Sequence, residues 1–457
     1  MKKFNESVWR FLLPLLIVFV WVLISSLTSG CGRAPEPKAP EPTAAPAVTA
    51  TPAPTATPEP TPEPTPTPEP TPEPTPEPTA TPVPEPAAEE LTARLELRDN
   101  VGAPFDLLFD GQRDASITYN EYTTLRVSCP EPMAGLYFCW YRVPAAYTLA
   151  TEAGSVTSGE NEFLYDYVEL PEPAGQVEIT FAGRAPLCEL RAFGPGALPE
   201  DVQRWEPPCE KADVLVFPTH ADDDIIFFGA AMADCIARGL DVQVCYMVQH
   251  NDEWYDWVNR PQELLDALWA LGIRHYPVIG PFGDYYVLDL WSAKQKFSES
   301  AVIEYDVTQI RRFQPLVILG HDREGEYGHG AHQLCALALE QAVPLAASEN
   351  AFPESLARWG VWDTPKLYLH FAPENPIFLN VETPLDYYGG RSAFRVAQDA
   401  MLFHLSQLQY AHRPTTDTDN EDFARYDCRR FGLVRTLVGL DTGNDIMENV
   451  PPREEAG

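Results

Sequence analysis

Positive charge is what this sequence is shortest of. Against 67 Asp and Glu stand only 32 Lys and Arg, a formal charge of −35. Phosphate recognition needs clustered cations, so nucleic acid is excluded as a partner, and a polybasic membrane patch with it. Histidine is scarce as well, nine residues in 457, so any grouping of it carries weight. No Cys-x-x-Cys pair occurs, which argues against a cysteine-ligated zinc site. The EF-hand spacing, with glycine at its sixth position, is missing too, which argues against a calcium loop.

Proline, by contrast, is abundant and uneven: 21 of 47 lie between Pro35 and Pro86. Ahead of that stretch, Lys2, Lys3 and Arg10 precede an apolar run from Phe11 to Leu27, followed by Ser29-Gly30-Cys31. Basic start, apolar core and small residues make 1–31 a secretory segment. Cysteine after Ser-Gly resembles a bacterial lipobox with Cys31 as the lipidated residue, although Leu27 stands four residues before it rather than three. An uncleaved signal anchor is the other reading; the run spans about 26 Å as a helix, slightly short for a bilayer. Both readings predict an exported chain held at the outer face of the bacterial cytoplasmic membrane. Residues 32–90, repeats of Thr-Pro-Glu-Pro, have no apolar periodicity and are expected to be a disordered stalk. At about 3.1 Å per residue it would reach up to ~160 Å.

Beyond Cys31, eight cysteines remain, an even set that permits disulfides in an exported protein. Cys129–Cys139 and Cys188–Cys209 are the plausible local pairs. Residues 91–208 show short alternating apolar and aromatic segments, such as Leu125-Val127, Leu136-Phe138-Trp140 and Val177-Ile179-Phe181, the pattern of an all-β sandwich. Asp110-Gly111 with Ser116-Ile117, and Cys188 to Arg191, resemble the galactose-binding-like (discoidin-type) folds. That resemblance implies either a carbohydrate-binding module or a packing spacer.

From residue 209 to 438 strands and helices alternate. Val214–Phe217, Val242–Tyr246, Tyr276–Ile279 and Leu316–Leu319 read as strands. Ile225–Ala237, Pro261–Leu271 and His329–Val343 read as helices, the last stopped by Pro344. The alternation predicts an α/β Rossmann-like doubly wound, largely parallel sheet, with ligands at the carboxyl ends of its strands. Residues 439–457 read as a loose acidic tail.

Two segments follow strands directly: Thr219-His220-Ala221-Asp222-Asp223-Asp224, and His321 to His332. Together they hold four of the nine histidines. Three adjacent aspartates repel one another unless a cation or hydrogen bonds offset the charge. Imidazole with carboxylate is a zinc donor set, and three ligands leave room for water. Simple capping of the following helix by the aspartates is the bland alternative.

The pair of segments resembles the PIG-L/LmbE-like N-acetylglucosaminyl de-N-acetylases. Arg260, Glu263 and Ala267 in one helix and the late His404-x-Ser406-Gln407 extend the likeness over about 212–409. The resemblance implies His220, Asp223 and His332 as Zn²⁺ ligands, Asp222 as general base, and His329 as oxyanion stabiliser or general acid. It also implies Tyr327 as the group polarising the amide carbonyl, and Arg260 as either a substrate contact or a brace for its own helix. Ala221 replaces the usual proline and Asp224 the usual glutamate. Ala331 stands where many members carry an aspartate that orients the catalytic histidine, leaving Glu326 or His321 to tune His329. Trp254, Tyr255, Trp257, Tyr285 and Tyr286 are candidates for stacking on a sugar, or for core and rim.

The function implied is zinc-dependent removal of the N-acetyl group from an N-acetylglucosamine-containing glycan, such as a cell-envelope polysaccharide, by metal-activated water with an aspartate base. The alternatives are an amidohydrolase of a non-sugar amide and a non-catalytic glycan-binding surface protein.

Overall fold

The computed structural model describes residues 86–250 and 259–453, all within one compact unit. The secretory segment, Cys31, the stalk up to residue 85, and Trp254, Tyr255 and Trp257 lie outside the described residues.

Seven strands form an antiparallel sheet: β1 (Glu96–Asp99), β2 (Ile117–Tyr119), β3 (Thr124–Trp140), β4 (Tyr147–Thr151), β5 (Gly154–Ser158), β6 (Tyr165–Phe181) and β7 (Ala185–Phe193). Their order is β2-β7-β3-β6-β4-β5, with β1 on β3. Period-two alternation sends Leu125, Val127, Val177 and Ile179 inward while Arg126 and Glu178 pair outside. The short strands read on either side of residues 130–132 and 171–173 are in fact two continuous 17-residue strands. Each carries a Pro-Glu-Pro triplet, and the β3–β6 register shifts between Ser128 and Met133. Proline cannot donate to the ladder, so the strands stay extended but locally unpaired.

The second sheet runs β14-β15-β13-β12-β8-β9. Its members are β8 (Val214–Phe217), β9 (Val242–Val244), β12 (Val317–Gly320), β13 (Lys366–His370), β14 (Pro376–Phe378) and β15 (Arg430–Thr436). β9, β8, β12 and β13 are parallel, and β15 is antiparallel to both β13 and β14. A separate parallel pair joins β10 (Val248–Gln249) and β11 (Phe282–Gly283). The architecture is therefore the expected one, a largely parallel α/β sheet behind an antiparallel β domain.

Eight helices among the described residues cover this sheet: α1 (Asp223–Ile226), α2 (Gly229–Ala237), α3 (Arg260–Leu271), α4 (Leu290–Lys296), α5 (Glu299–Phe313), α6 (Gly330–Ala346), α7 (Pro353–Trp359) and α8 (Ala393–Met401). α3 starts with Pro261 in its first turn and ends on Gly272 at φ 111°, a left-handed cap open to glycine. α6 buries Leu334, Cys335, Ala338, Leu339 and Ala342, a stripe at helical spacing. Gln262 of α3 donates to the Trp140 carbonyl and Asp266 pairs with Arg113, which ties α3 to the antiparallel sheet.

Several expectations are corrected. Residues 225–237 are two helices, because Phe227 and Phe228 both turn into the core at the break between them. Tyr276–Ile279 forms only one isolated bridge, Val278 to Cys245, Pro277 offering no N–H. Pro344 does not stop α6, which runs to Ala346; only two helical residues follow the proline, and Arg311 donates to the Leu345 and Ala346 carbonyls. All eight described cysteines are free, and Cys139 approaches Cys188 rather than Cys129. Residues 439–453 are docked rather than loose. Ile446 is buried, Asp441 pairs with buried Lys366 and Tyr368, and Arg453 reaches Asp213.

Candidate active site

The carboxyl ends of parallel strands deliver the chemistry, as open α/β sheets require. After β8 the chain forms a tight loop in which four successive main-chain N–H groups each find a side chain. Thr219 donates to His321 Nε2 (2.9 Å), His220 to Asp223 Oδ2 (2.8 Å), Ala221 to His250 Nε2 (2.8 Å) and Asp222 to Asp224 Oδ1 (2.9 Å). No N–H on that stretch of backbone is left without a partner. Asp222 sits at φ 112°, an unusual conformation for a side-chain-bearing residue that such a web of bonds can hold. It occupies the helix N-cap position, yet its side chain makes no capping bond. Capping therefore does not account for the aspartate run.

The second loop, between β12 and α6, folds back on itself through Gly325, whose carbonyl accepts from Tyr327, Gly328 and His329. A Cβ at Gly325 would meet the His329 carbonyl oxygen at 2.5 Å, so only glycine fits. This fold brings His329 and His332, one helical turn apart, against the first loop.

His220 Nδ1, Asp223 Oδ2 and His332 Nε2 form a triangle with edges of 3.0, 3.1 and 3.2 Å. Donors bound at about 2.0–2.1 Å around a tetrahedral zinc stand roughly 3.3 Å apart, so this set fits a Zn²⁺ ion. His321 lies close by, but its Nε2 is taken by Thr219 and its Nδ1 faces Glu326 Oε1 (2.9 Å).

Charge follows from these contacts. Burial raises the Asp222 carboxyl to about 6, against the opposing pull of Arg260. Asp223 lies well below the usual carboxylate range; burial opposes this, but His332 and His220 outweigh it. Although burial lowers it, His332 is held up to about 10 by Asp223 and Glu326. The triangle thus retains a proton where a metal cation would stand. Burial and the neighbouring His220 and His332 push His329 down to about 2, so it is neutral at ordinary pH.

The open side is a cleft of about 650 Å³ lined by His220, Asp222, Arg260, Tyr327 and His329, with Gln407 and Tyr410 toward its rim. Five of the seven residues expected from the sequence line this cleft, and the other two, Asp223 and His332, are buried against His220. Arg260 donates to the Ala221 carbonyl and lies 3.5 Å from Asp222, so it braces the first loop as well as facing the cleft. Neither Glu326 nor His321 hydrogen-bonds His329, whose Nδ1 is buried without a partner. Glu263 accepts from Ser406 N (2.9 Å) and Oγ (2.7 Å), which fixes the turn carrying Gln407.

Other groups were missed in the sequence. His250 links Ala221 to Asp284 (3.3 Å), and Asp284 stands 3.6 Å from His220 Nε2. His370 ends β13 beside Glu326, and His412 stacks on Tyr327 with ring centres 5.4 Å apart. His220, His250, His321 and His370 all fall at or just past strand ends, a signal visible in principle.

Comparison with known proteins places this geometry. Residues 215–343 match the PIG-L family model, GlcNAc-PI de-N-acetylase. The matched stretch contains both loops and Arg260. A 1D-myo-inositol 2-acetamido-2-deoxy-alpha-D-glucopyranoside deacetylase of Catenulispora acidiphila is 25% identical over 211 residues, 41% of this chain and 64% of the relative. The Streptomyces scabiei deacetylase of that name is 25% identical over 237 residues, covering 46% and 72%. The Rhodococcus opacus one is 31% identical over 179 residues, covering 34% and 60%. The chain thus spans slightly under two-thirds of the first relative's length. These matches support PIG-L/LmbE-like membership for the α/β region. With the His/Asp cluster they support a metal-dependent N-deacetylase of this general kind.

Proposed function

We propose that the chain removes acetyl groups from N-acetylglucosamine units of a glycan, using Zn²⁺ held by His220, Asp223 and His332. The observation that carries the reading is the three-donor triangle, one member of which, His220, lines the same cleft as Asp222. Zinc in such a site lowers the pKa of water toward ~7 and polarises a carbonyl. The chain's own residues supply the rest. Asp222, raised to about 6, is ionised at neutral pH yet basic enough to take a proton from the attacking water. Tyr327, its hydroxyl pushed well above the ordinary range by burial and by Asp223, stays protonated and can donate to the carbonyl oxygen. His329 acts as a neutral N–H donor to the developing oxyanion rather than as an imidazolium. Arg260 keeps Asp222 in place and faces the cleft as a cation for substrate.

The walls suit a pyranose. Tyr286, largely exposed, packs edge-on to His329 at 5.3 Å, while Tyr327, His412 and Tyr410 form a ring series on the other side. Sugar rings present C–H faces to such aromatics. Tyr286→Ala is expected to raise KM for N-acetylglucosamine oligomers about tenfold with kcat within twofold, as steady-state kinetics on the tetramer would show; an equal fall in kcat would remove Tyr286 from binding.

The antiparallel domain is proposed as a carbohydrate-binding module. The N-terminal segment around Cys31 and the Pro-rich stalk are proposed to hold the enzyme outside the cell; the support for both is in the sequence. Acetate release from N-acetylated sugars tests the function. Turnover of N-acetylglucosamine oligomers, abolished by chelator and restored by Zn²⁺, is expected. A zinc-loaded protein that deacetylates only non-sugar amides would overturn the substrate class.

A further inference from the structure

Glu326 is the least expected group in the molecule. It is a carboxylate with a fully buried side chain, on a loop residue at φ 53°, in the left-handed region where side-chain-bearing residues are uncommon. Its two oxygens meet four nitrogens, three of them donors; His370, whose Nε2 donates to the Asp427 carbonyl, can donate from Nδ1 as well only as an imidazolium. Oε2 lies 2.7 Å from His332 Nδ1; Oε1 lies 2.9 Å from His321 Nδ1, 3.1 Å from Asp322 N and 3.2 Å from His370 Nδ1. No lysine or arginine shares the site with it among these contacts.

The hydrogen-bond directions decide what this arrangement does. A carboxylate only accepts, so His332 Nδ1 carries the proton that faces Glu326, and Nε2 is the atom left to face His220 and Asp223. His321 is fixed from both ends. A main-chain N–H only donates, so its Nε2 accepts from Thr219 and its proton resides on Nδ1, toward Glu326. Thr219 directly precedes His220. One carboxylate therefore holds both halves of the donor triangle: His332 directly, and the loop bearing His220 and Asp223 through His321 and Thr219.

We infer that Glu326 is a positioning residue for the metal centre, presetting the ring orientation of His332 and the register of the 219–223 loop so that three donors are aimed before an ion arrives. This rests on the metal-site reading above. Carboxylates behind metal-bound imidazoles generally affect affinity about 10- to 100-fold. The left-handed backbone at Glu326 is the local cost of turning its side chain inward, and the bonds from His332, His321 and Asp322 N over-determine it.

The test is Zn²⁺ affinity of the purified full chain, by competition with a chromophoric chelator. Glu326→Gln keeps the size of the side chain but presents an amide NH₂ to at least one donor. It is expected to weaken Zn²⁺ binding about 10- to 100-fold. His370→Gln, which removes a Glu326 neighbour outside both loops, is expected to change affinity less than threefold. Equal affinity in Glu326→Gln and wild type overturns the inference. So does an equal loss in both variants, which would show a general packing effect. Should Glu326→Gln fail to fold, ¹⁵N-histidine spectra of the wild type decide. A His332 Nδ1–H that persists in the zinc-loaded protein supports the role; zinc bound through Nδ1 overturns it. A wild type that takes up no Zn²⁺ overturns the metal-site reading instead, so the two failures are distinguishable.

Discussion

His332→Ala is expected to lose both bound zinc and detectable acetate release, whereas Asp222→Asn keeps the metal and loses turnover. His332 Nε2 is one corner of a triangle whose other two atoms lie 3.1 and 3.2 Å away. Alanine removes a donor and leaves Asp223, His220 and Glu326 facing one another without it. Asp222 contributes no atom to that triangle; it lines the cleft and pairs with Arg260 at 3.5 Å. Asparagine keeps its shape and cannot accept a proton at neutral pH. A general base contributes typically 10²–10⁴-fold, so kcat should fall by about that factor with zinc stoichiometry unchanged. Metal analysis beside acetate release on the same preparations reads both quantities. Full activity in Asp222→Asn would refute the base assignment, and full zinc content in His332→Ala would refute the ligand set.

Arg311→Ala is expected to destabilise the α/β domain by about 4 kcal/mol, the upper range for a single substitution. Arg311, on α5, is fully buried. Its guanidinium donates to five main-chain carbonyls, those of Leu345, Ala346, Ser348, Ala351 and Phe352, and to Ser355 Oγ. The first two belong to the last turn of α6, where the helix dipole favours a cation. Removing the side chain strands these oxygens in the interior, each costing about 1–3 kcal/mol if water cannot reach it. Arg311→Lys should recover little, because one ammonium cannot span a fork of acceptors on α6, its following loop and α7. Urea unfolding would show the loss as a lowered midpoint. A change below about 1 kcal/mol would mean that water replaces the guanidinium. Since α6 also carries His332 in its first turn, just after His329 at its N-cap, loosening its anchor should lower zinc affinity too.

Much of this site was readable in one dimension. His220, Asp222 and Asp223 stand together after a buried strand, and His329 and His332 are one turn apart at a helix start, so local spacing alone grouped them. Period-two and helical patterns likewise separated the antiparallel domain from the α/β sheet. What escaped had long-range causes. The Pro-Glu-Pro triplets in β3 and β6 look like turns until both strands are seen side by side, each tolerating the other's missing donors. Phe227 interrupts a helical pattern because its ring packs against His321, His332 and His370. Asp441 and Ile446 looked like tail because their partners, Lys366 and Tyr368, are some 75 residues away. Six glutamates and aspartates in the site segments looked alike, yet only the fold turns Glu326 inward.

By itself the sequence determined which residue types could grip a cation and which strand ends would carry them, because donor chemistry and apolar periodicity are properties of short stretches. Only the tertiary structure decided which imidazole nitrogen faces the triangle and which carboxylate stands behind it. Those choices depend on the inward turn of Glu326 toward His332, six residues on, and on the bond that ties His321 to Thr219 across 102 residues, and no local pattern encodes them.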